Sequence, residues 1–234
     1  MKPPYSAQDI LSYIEMCNAE NQSLQHGMNF RGDDSVFLMS TRKGAPYDDR
    51  FDRTNSILVY EGHDSPKSPG ALDPKSVDQP LLTASGGPTR NKRFYDAAKA
   101  FEEGKATLPL KVRVYEKLKA GIWVFNGTFD LKRARIEKVN SRAVFKFELS
   151  LCDESAHSTV TVRTSDMQQT RLIPSSVKQA VFKRDGGQCV LCSSKDNLHF
   201  DHNLPYKHGG TSLLAENIQL LCARHNLSKG AKIV

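Results

Sequence analysis

The 234-residue chain lacks any apolar run of the about 20 residues that a membrane-crossing helix needs. Its start, Met1-Lys2-Pro3-Pro4-Tyr5, lacks the apolar core of a secretion signal, so a soluble, cytoplasmic protein is expected. Cysteine is scarce and odd in number, at five, which argues against a disulfide framework. Free thiols and metal ligands suit a reducing compartment. Tryptophan occurs once, and Trp123 fits a core position better than an exposed stacking platform. There is no internal repeat and no coiled-coil seam. Low complexity is confined to Ser65-Pro66-Lys67-Ser68-Pro69-Gly70, a loop by its prolines and glycine.

Charge is present in excess and unevenly spread. Lys and Arg number 33 against 26 Asp and Glu, a net of +7. From Arg171 to Val234 there are nine basic against four acidic residues, while the first 170 residues carry 24 against 22. The positive field therefore lies over the C-terminal stretch and suits a nucleic-acid partner.

The length allows two domains. Thr164 to Thr170 is polar and aperiodic, and Pro174-Ser175-Ser176 then opens a helix whose Val177, Ala180 and Val181 recur at i, i+3 and i+4 before Gly186-Gly187 ends it. The expected division is 1–163, a linker over 164–175, and 176–234. In the first part Ile10, Leu11 and Ile14 give a helical face behind a Ser6 cap, with Asp9 three residues on. Runs rich in β-branched and aromatic residues predict strands at Val36–Met39, Ile57–Tyr60, Leu110–Tyr115, Ile122–Phe125, Ala143–Leu149 and Val160–Val162, with a helix over Phe94–Phe101. The pattern predicts an α+β fold, with a curled sheet or open barrel first.

The C-terminal part carries the chemistry. Cys189-Val-Leu-Cys192 and Cys222-Ala-Arg-His225 are two ligand pairs at i and i+3, the spacing with which two knuckles hold one tetrahedral ion. They read as a structural Zn2+ site. Between and beyond them stand Asp201-His202, Asn217, Asn226 and Lys229. A carboxylate beside a histidine supplies an oxygen ligand and a neighbouring general base. On the residues alone a DNA-binding zinc ribbon, with Asp201 and His202 as loop residues, stays open. His199 and His208 fit surface or core positions, with phosphate contact as the alternative. Lys207, Lys229 and Lys232 are candidates to touch DNA phosphate.

Along Phe200 to Pro205, Gly209-Gly210, Asn217 to Cys222 and Asn226 to Gly230 the chain resembles the HNH nuclease family. The resemblance implies a ββα-metal fold and phosphodiester hydrolysis with one divalent cation per site. By position it implies Asp201 and Asn226 as ligands of that cation, His202 as the base that activates water, and Asn217 as the residue holding the loop that orients His202. His225 stands where the family often has cysteine, and Asn226 where many members have histidine. Imidazole serves zinc as well as thiolate does, and an amide oxygen suits Mg2+ or Mn2+.

A second, ordered set of landmarks runs through Ser40 to Asp49, Tyr60-Glu61-Gly62-His63, Asp78-Gln79-Pro80-Leu81, Val112 to Tyr115, Trp123 to Phe129 and Val144 to Leu149. It is similar to SRA domains of the PUA-like group. That resemblance implies a reader that flips a modified cytosine out of duplex DNA. A flipped base needs aromatic faces and a carboxylate to accept from its exocyclic amino group. Tyr47, Asp49 and Tyr60 supply these types, with Asp48 competing for the place of Asp49, and Gly62-His63-Asp64 bordering the pocket through backbone groups. Half-buried sheet tyrosines and turn-capping aspartates are the alternative. Asn91-Lys92-Arg93, at the start of the Phe94 helix, would be placed to meet DNA backbone.

Together the two resemblances imply a modification-dependent, type IV-like restriction endonuclease for 5-methylcytosine or a relative, acting as a homodimer. The alternatives are an HNH nuclease indifferent to modification and an inactive DNA-binding protein.

Overall fold

A computed structural model describes residues 5–52, 57–152, 172–204 and 209–230. The elements run β1 (Ile10–Ser12), α1 (Tyr13–Ala19), β2 (Met28–Asn29), β3 (Ser35–Met39), β4 (Arg50–Asp52), β5 (Ile57–Glu61), α2 (Arg90–Glu102), β6 (Leu110–Lys119), β7 (Ile122–Val139), β8 (Arg142–Leu151), α3 (Ser175–Arg184), β9 (Leu198–His202), β10 (Ile218–Cys222) and α4 (Ala223–Lys229). The fold is α+β. One curled sheet has the order β2-β3-β6-β7-β8-β5-β4, with β1 added to β7, and β9 and β10 form a separate antiparallel pair. The strand expected at Val160–Val162 and the linker up to residue 171 lie outside the described residues.

The chain gathers into two compact units, one built mainly from residues 23–115 and 128–152, the other from 2–22, 116–127 and 153–234. In the first, the central rings are Phe37, Tyr60, Phe94 and Phe147, all fully buried. Phe37 stacks on Tyr60 with centroids 4.1 Å apart and meets Phe94 at 4.6 Å. Helix α2 presents Phe94 and Ala98 to this cluster. It starts earlier than the run from Phe94 suggests because the Thr89 hydroxyl caps it, accepting from the Lys92 backbone N–H.

In the second unit the opening helix differs from its sequence reading. Ile10 and Leu11 are strand residues paired with Val124 and Trp123. The cap is Ser12, whose hydroxyl accepts from Glu15 N while Glu15 returns a bond to the Ser12 N–H. Both bonds of the box form at Ser12, whereas Ser6, which also has a carboxylate three residues on, uses its N–H to close a turn onto Asp9. Ile14 is correspondingly exposed.

Helix α3 starts after Pro174 and ends at Asp185, as its proline and glycines suggest. Its inward face is Val177, Lys178 and Val181, and Ala180 is exposed. Lys178 turns inward because Glu116 and Asn126 receive it: its Nζ lies 2.9 Å from Glu116 Oε2 and 2.5 Å from Asn126 Oδ1. Burial alone would raise the Glu116 pKa, but the Lys178 charge and hydrogen bonds hold it below the ordinary value. Removing either ion would leave the other buried and uncompensated, a loss of about 3–5 kcal/mol. Val177 and Val181 join Ile10, Val124, Phe200 and Leu220 in one core, so the β9–β10 pair rests on a mixed floor of helix and strand.

Candidate functional site

The C-terminal site is built on the β9–β10 pair and α4. Register sets Gln219 opposite Asp201 and Ile218 opposite His202, and α4 follows β10 directly. The strand end thus carries the carboxylate and the imidazole, while the helix brings Asn226 and Lys229 on one face, one turn apart.

Cys189, Cys192, Cys222 and His225 offer ligand atoms all within 4.8 Å of one another. Cys189 Sγ and Cys222 Sγ lie 3.3 and 3.4 Å from His225 Nδ1, and Cys192 Sγ lies 3.8 Å from Cys222 Sγ. Tetrahedral zinc, with bonds of about 2.3 Å to sulfur and about 2.0 Å to nitrogen, requires about 3.8 Å between sulfurs and about 3.5 Å from sulfur to nitrogen. The donor set fits that ion. Burial would raise the Cys189 pKa, yet backbone N–H groups and His225 bring it down to about 6, favouring the thiolate a metal needs.

Asp201 Oδ2 accepts from the Lys229 ammonium and, at 3.4 Å, from Gln219 Nε2. Lys229 also donates to the His202 carbonyl, and its side chain is buried. Asp201 is therefore held as the ionic partner of a buried ammonium. Asn226 lies on the same helical face as Lys229, and carboxylate and amide oxygens are hard donors of the kind that suit Mg2+ or Mn2+.

His202 Nε2 lies 2.9 Å from the hydroxyl of Ser212, a buried residue. Burial lowers the His202 pKa, with Lys229 acting in the same direction and Asp201 against it. Asn217 ties down the loop between: its Oδ1 accepts from Leu204 N at 2.8 Å, and its Nδ2 donates to the Leu204 and Thr211 carbonyls. Gly210 is required where the loop closes, since a Cβ there would come 1.8 Å from Leu204 O. Lys207, Lys232 and His208 lie outside the described residues.

His199 is held by Asp9, with Nδ1 2.6 Å from Oδ1. Its neighbour Phe200 donates to the Gln8 carbonyl at 3.3 Å. The histidine thus anchors the outer edge of β9 to residues 8 and 9.

In the first unit Tyr47, Asp49 and Tyr60 come together. Asp49 is buried at the start of β4's approach, its two oxygens accepting from Glu61 N and Ser40 N at 3.1 Å each. Burial pushes its pKa up to about 7, against the two backbone bonds. Asp48 points outward, paired with Arg50 and, at 3.2 Å, with Lys146, so Asp49 is the inward carboxylate. Tyr60 offers no open face in this arrangement. It has no exposed surface, Phe37 covers one face of its ring, and its hydroxyl lies 3.0 and 3.2 Å from the Gly27 and Leu38 carbonyls.

Three residues have roles here that the sequence did not show. The His63 ring lies parallel to Tyr47 at 4.4 Å. Asn91 is buried and holds the His63 backbone, accepting from its N–H and donating to its carbonyl at 2.8 Å each, which replaces the expected DNA contact. Gln79 donates to the Gly62 carbonyl at 2.6 Å and accepts from Phe145 N at 2.8 Å. Gln79 and Asn91 are readable as polar residues before and at the start of α2, but their partners are remote in sequence.

No curated protein sequence matches the chain. Among solved structures it is similar to the SUVH5 SRA domain in complex with hemimethylated CG DNA, at 19% identity and TM-score 0.45, covering 65% of this chain and 91% of that one. KRYPTONITE with mCHH DNA, an H3 peptide and SAH gives 16% and 0.43 over 72% of this chain and 35% of that one. Arabidopsis thaliana SUVH6 with SAM gives 21% and 0.39 over 65% and 27%. Residues 189–232 match the family model of the HNH endonucleases, a span that holds the Cys3His donor set and the Asp201–His202 strand end.

Proposed function

We propose that the chain is a DNA endonuclease directed to duplexes carrying 5-methylcytosine or a related modified cytosine. The observation that carries the cutting half is the meeting of Asp201, His202, Ser212 and Lys229 beside a zinc-ready knot in one HNH module. The reading half rests on Tyr47 and Asp49 beside Tyr60, the residue types that the SRA resemblance assigns to a flipped base. Residues 1–163 would read and 176–234 cut, joined through 164–175, although residues 2–22 and 116–127 pack with the cutting module. The setting would be a cytoplasmic, type IV-like restriction system, and no described helix is long and apolar enough to cross a membrane.

The chemistry follows from the geometry. In the tautomer whose Nε2–H donates to the Ser212 hydroxyl, His202 Nδ1 is free to accept a proton from water. Its depressed pKa keeps it neutral and able to do so. Asp201 and Asn226 would hold the divalent ion, which when bound supplies charge to stabilise the scissile phosphate. Lys229 keeps the Asp201 carboxylate and the His202 backbone in fixed relation. Matched methylated and unmethylated duplexes, incubated with the protein in Mg2+ or Mn2+, test the whole reading. Equal cutting of both would leave an HNH nuclease indifferent to modification, and no cutting of either would leave a binding protein.

Ser212→Ala should lower kcat about tenfold with KM nearly unchanged, the worth of one positioning hydrogen bond. Ser212→Thr, which keeps the hydroxyl, should restore most of it. A fall in KM and kcat together, unrescued by threonine, would mean that Ser212 merely packs.

Asp49→Ala or Tyr47→Ala should erase the preference for modified DNA and leave weak, salt-sensitive binding through phosphate contacts. Equal selectivity in both variants would place the pocket elsewhere.

One HNH centre, with one base and one metal, cuts one strand, so a double-strand break calls for two copies at a target. Light scattering on methylated duplex should show a dimer. A strict monomer making double-strand breaks in one binding event would refute it.

A further inference from the structure

The Tyr47 ring already has two close neighbours. The His63 imidazole lies 4.4 Å from its centroid at an interplanar angle of 8°, the spacing of a stacked base, and the Lys75 ammonium stands 4.3 Å over the ring. The same imidazole is nearly parallel to Tyr60, at 5.8 Å and 26°, and its Nε2 lies 2.9 Å from the Tyr60 hydroxyl. On that side is Tyr60, one of the groups that a flipped base would approach. Lys75 is different: its side chain is 45% exposed and bridges to Asp64 at 2.8 Å, at the outer rim.

We infer that His63 closes the base slot of the free protein, and that its ring must turn out before a modified cytosine can stack on Tyr47. The inference rests on the base-reading proposal above. Backbone geometry makes the side chain the moving part. Asn91 clamps both polar groups of the His63 backbone, Gln79 holds the Gly62 carbonyl, and a Cβ at residue 62 would meet Gln79, Phe145 and Asn91 within 3 Å. With the main chain fixed, opening the slot is a rotation of one ring. Burial holds the His63 pKa down at about 4, so the resident ring is neutral and brings no charge that would have to be solvated in the slot. Gly27 sets the fit from behind, since a Cβ there would come 2.2 Å from His63 Cε1.

A closed slot reduces apparent affinity by the fraction of molecules that are open, so emptying it should tighten binding without a new contact. His63→Ala should bind a duplex with one central 5-methylcytosine about tenfold more tightly than the wild type, with smaller change for the unmodified duplex. His63→Phe, which refills the slot with a ring that cannot pair with the Tyr60 hydroxyl but is larger, should weaken modified-duplex binding. Anisotropy titrations, with circular dichroism and zinc content to establish folding, read both. If His63→Ala fails to fold, loss of selective binding in folded His63→Phe still supports the gate, and unchanged binding there overturns it. Tighter binding by Lys75→Ala with none by His63→Ala also overturns it, placing the base on the outer face. A wild type that prefers the modified duplex while both His63 variants match it defeats the gate alone, whereas a wild type with no preference defeats the base-reading proposal and the gate with it.

Discussion

His202→Ala is expected to lower DNA cleavage by about 10²–10⁴-fold, the range that a positioned general base contributes, while zinc content and DNA binding stay near wild type. The imidazole is half-buried against Ser212 and contributes no side chain to the zinc cluster or to the buried core around Val181, Phe200 and Leu220. Its removal therefore touches the chemical step and leaves the module's packing in place. The fall should appear in kcat, because a base acts on the water only as the proton is transferred. His202→Gln is the sharper version, since it keeps a polar side chain of similar reach but cannot take up the proton. Cleavage near the wild-type rate in either variant would remove His202 from the mechanism. Loss of zinc in either would show a folding defect in place of a catalytic one.

The cutting site was legible because its parts are close in sequence and fixed by spacing. Two i, i+3 pairs and an Asp-His dipeptide at a strand end need little more than one hairpin and one helix to meet, and register then places them. What the sequence hid was partnership across long separations. Lys178 reads as a solvated helix residue, and only the placement of Glu116 and Asn126 beneath α3 turns it inward. Ser212 is one of several polar loop residues until Asn217 and Gly210 close the loop and bring it to His202. In the first unit the residue types of a base pocket were readable, but occupancy was not. That Tyr60 is sealed by Phe37, and that His63 lies on Tyr47, are facts of packing density that no local pattern encodes. The misplaced helix start has a simpler cause: Ser6 and Ser12 each have a carboxylate three residues on, and the pairing of Ile10 to Ser12 with β7 moves the helix start to the second.

Cys189→Ala should abolish zinc binding and with it the fold of the HNH module, so that activity and soluble yield fall together. Apparent free energies of structural zinc binding in zinc-finger peptides run to about 10–16 kcal/mol, comparable with or above the whole stability of an ordinary domain, about 5–15 kcal/mol. The ion would reinforce a junction that otherwise rests on the Val190–Leu220 and Ala223–Asn197 backbone bonds. One pair of ligands sits on the turn between α3 and β9, the other where β10 passes into α4, so loss of the ion releases the helix that carries Asn226 and Lys229. Cys189 is also a core residue, at 1% exposure, and its replacement by alanine removes packing as well as a ligand. Cys192 separates the two effects because it is exposed and has no packing to lose. If zinc is what holds the module, Cys192→Ala should be as damaging as Cys189→Ala, and a strong chelator should reproduce both in the wild type. Zinc stoichiometry by elemental analysis, together with thermal unfolding and cleavage, reads the result. A soluble, zinc-free and fully active Cys192→Ala protein would show that the four side chains cluster without needing an ion.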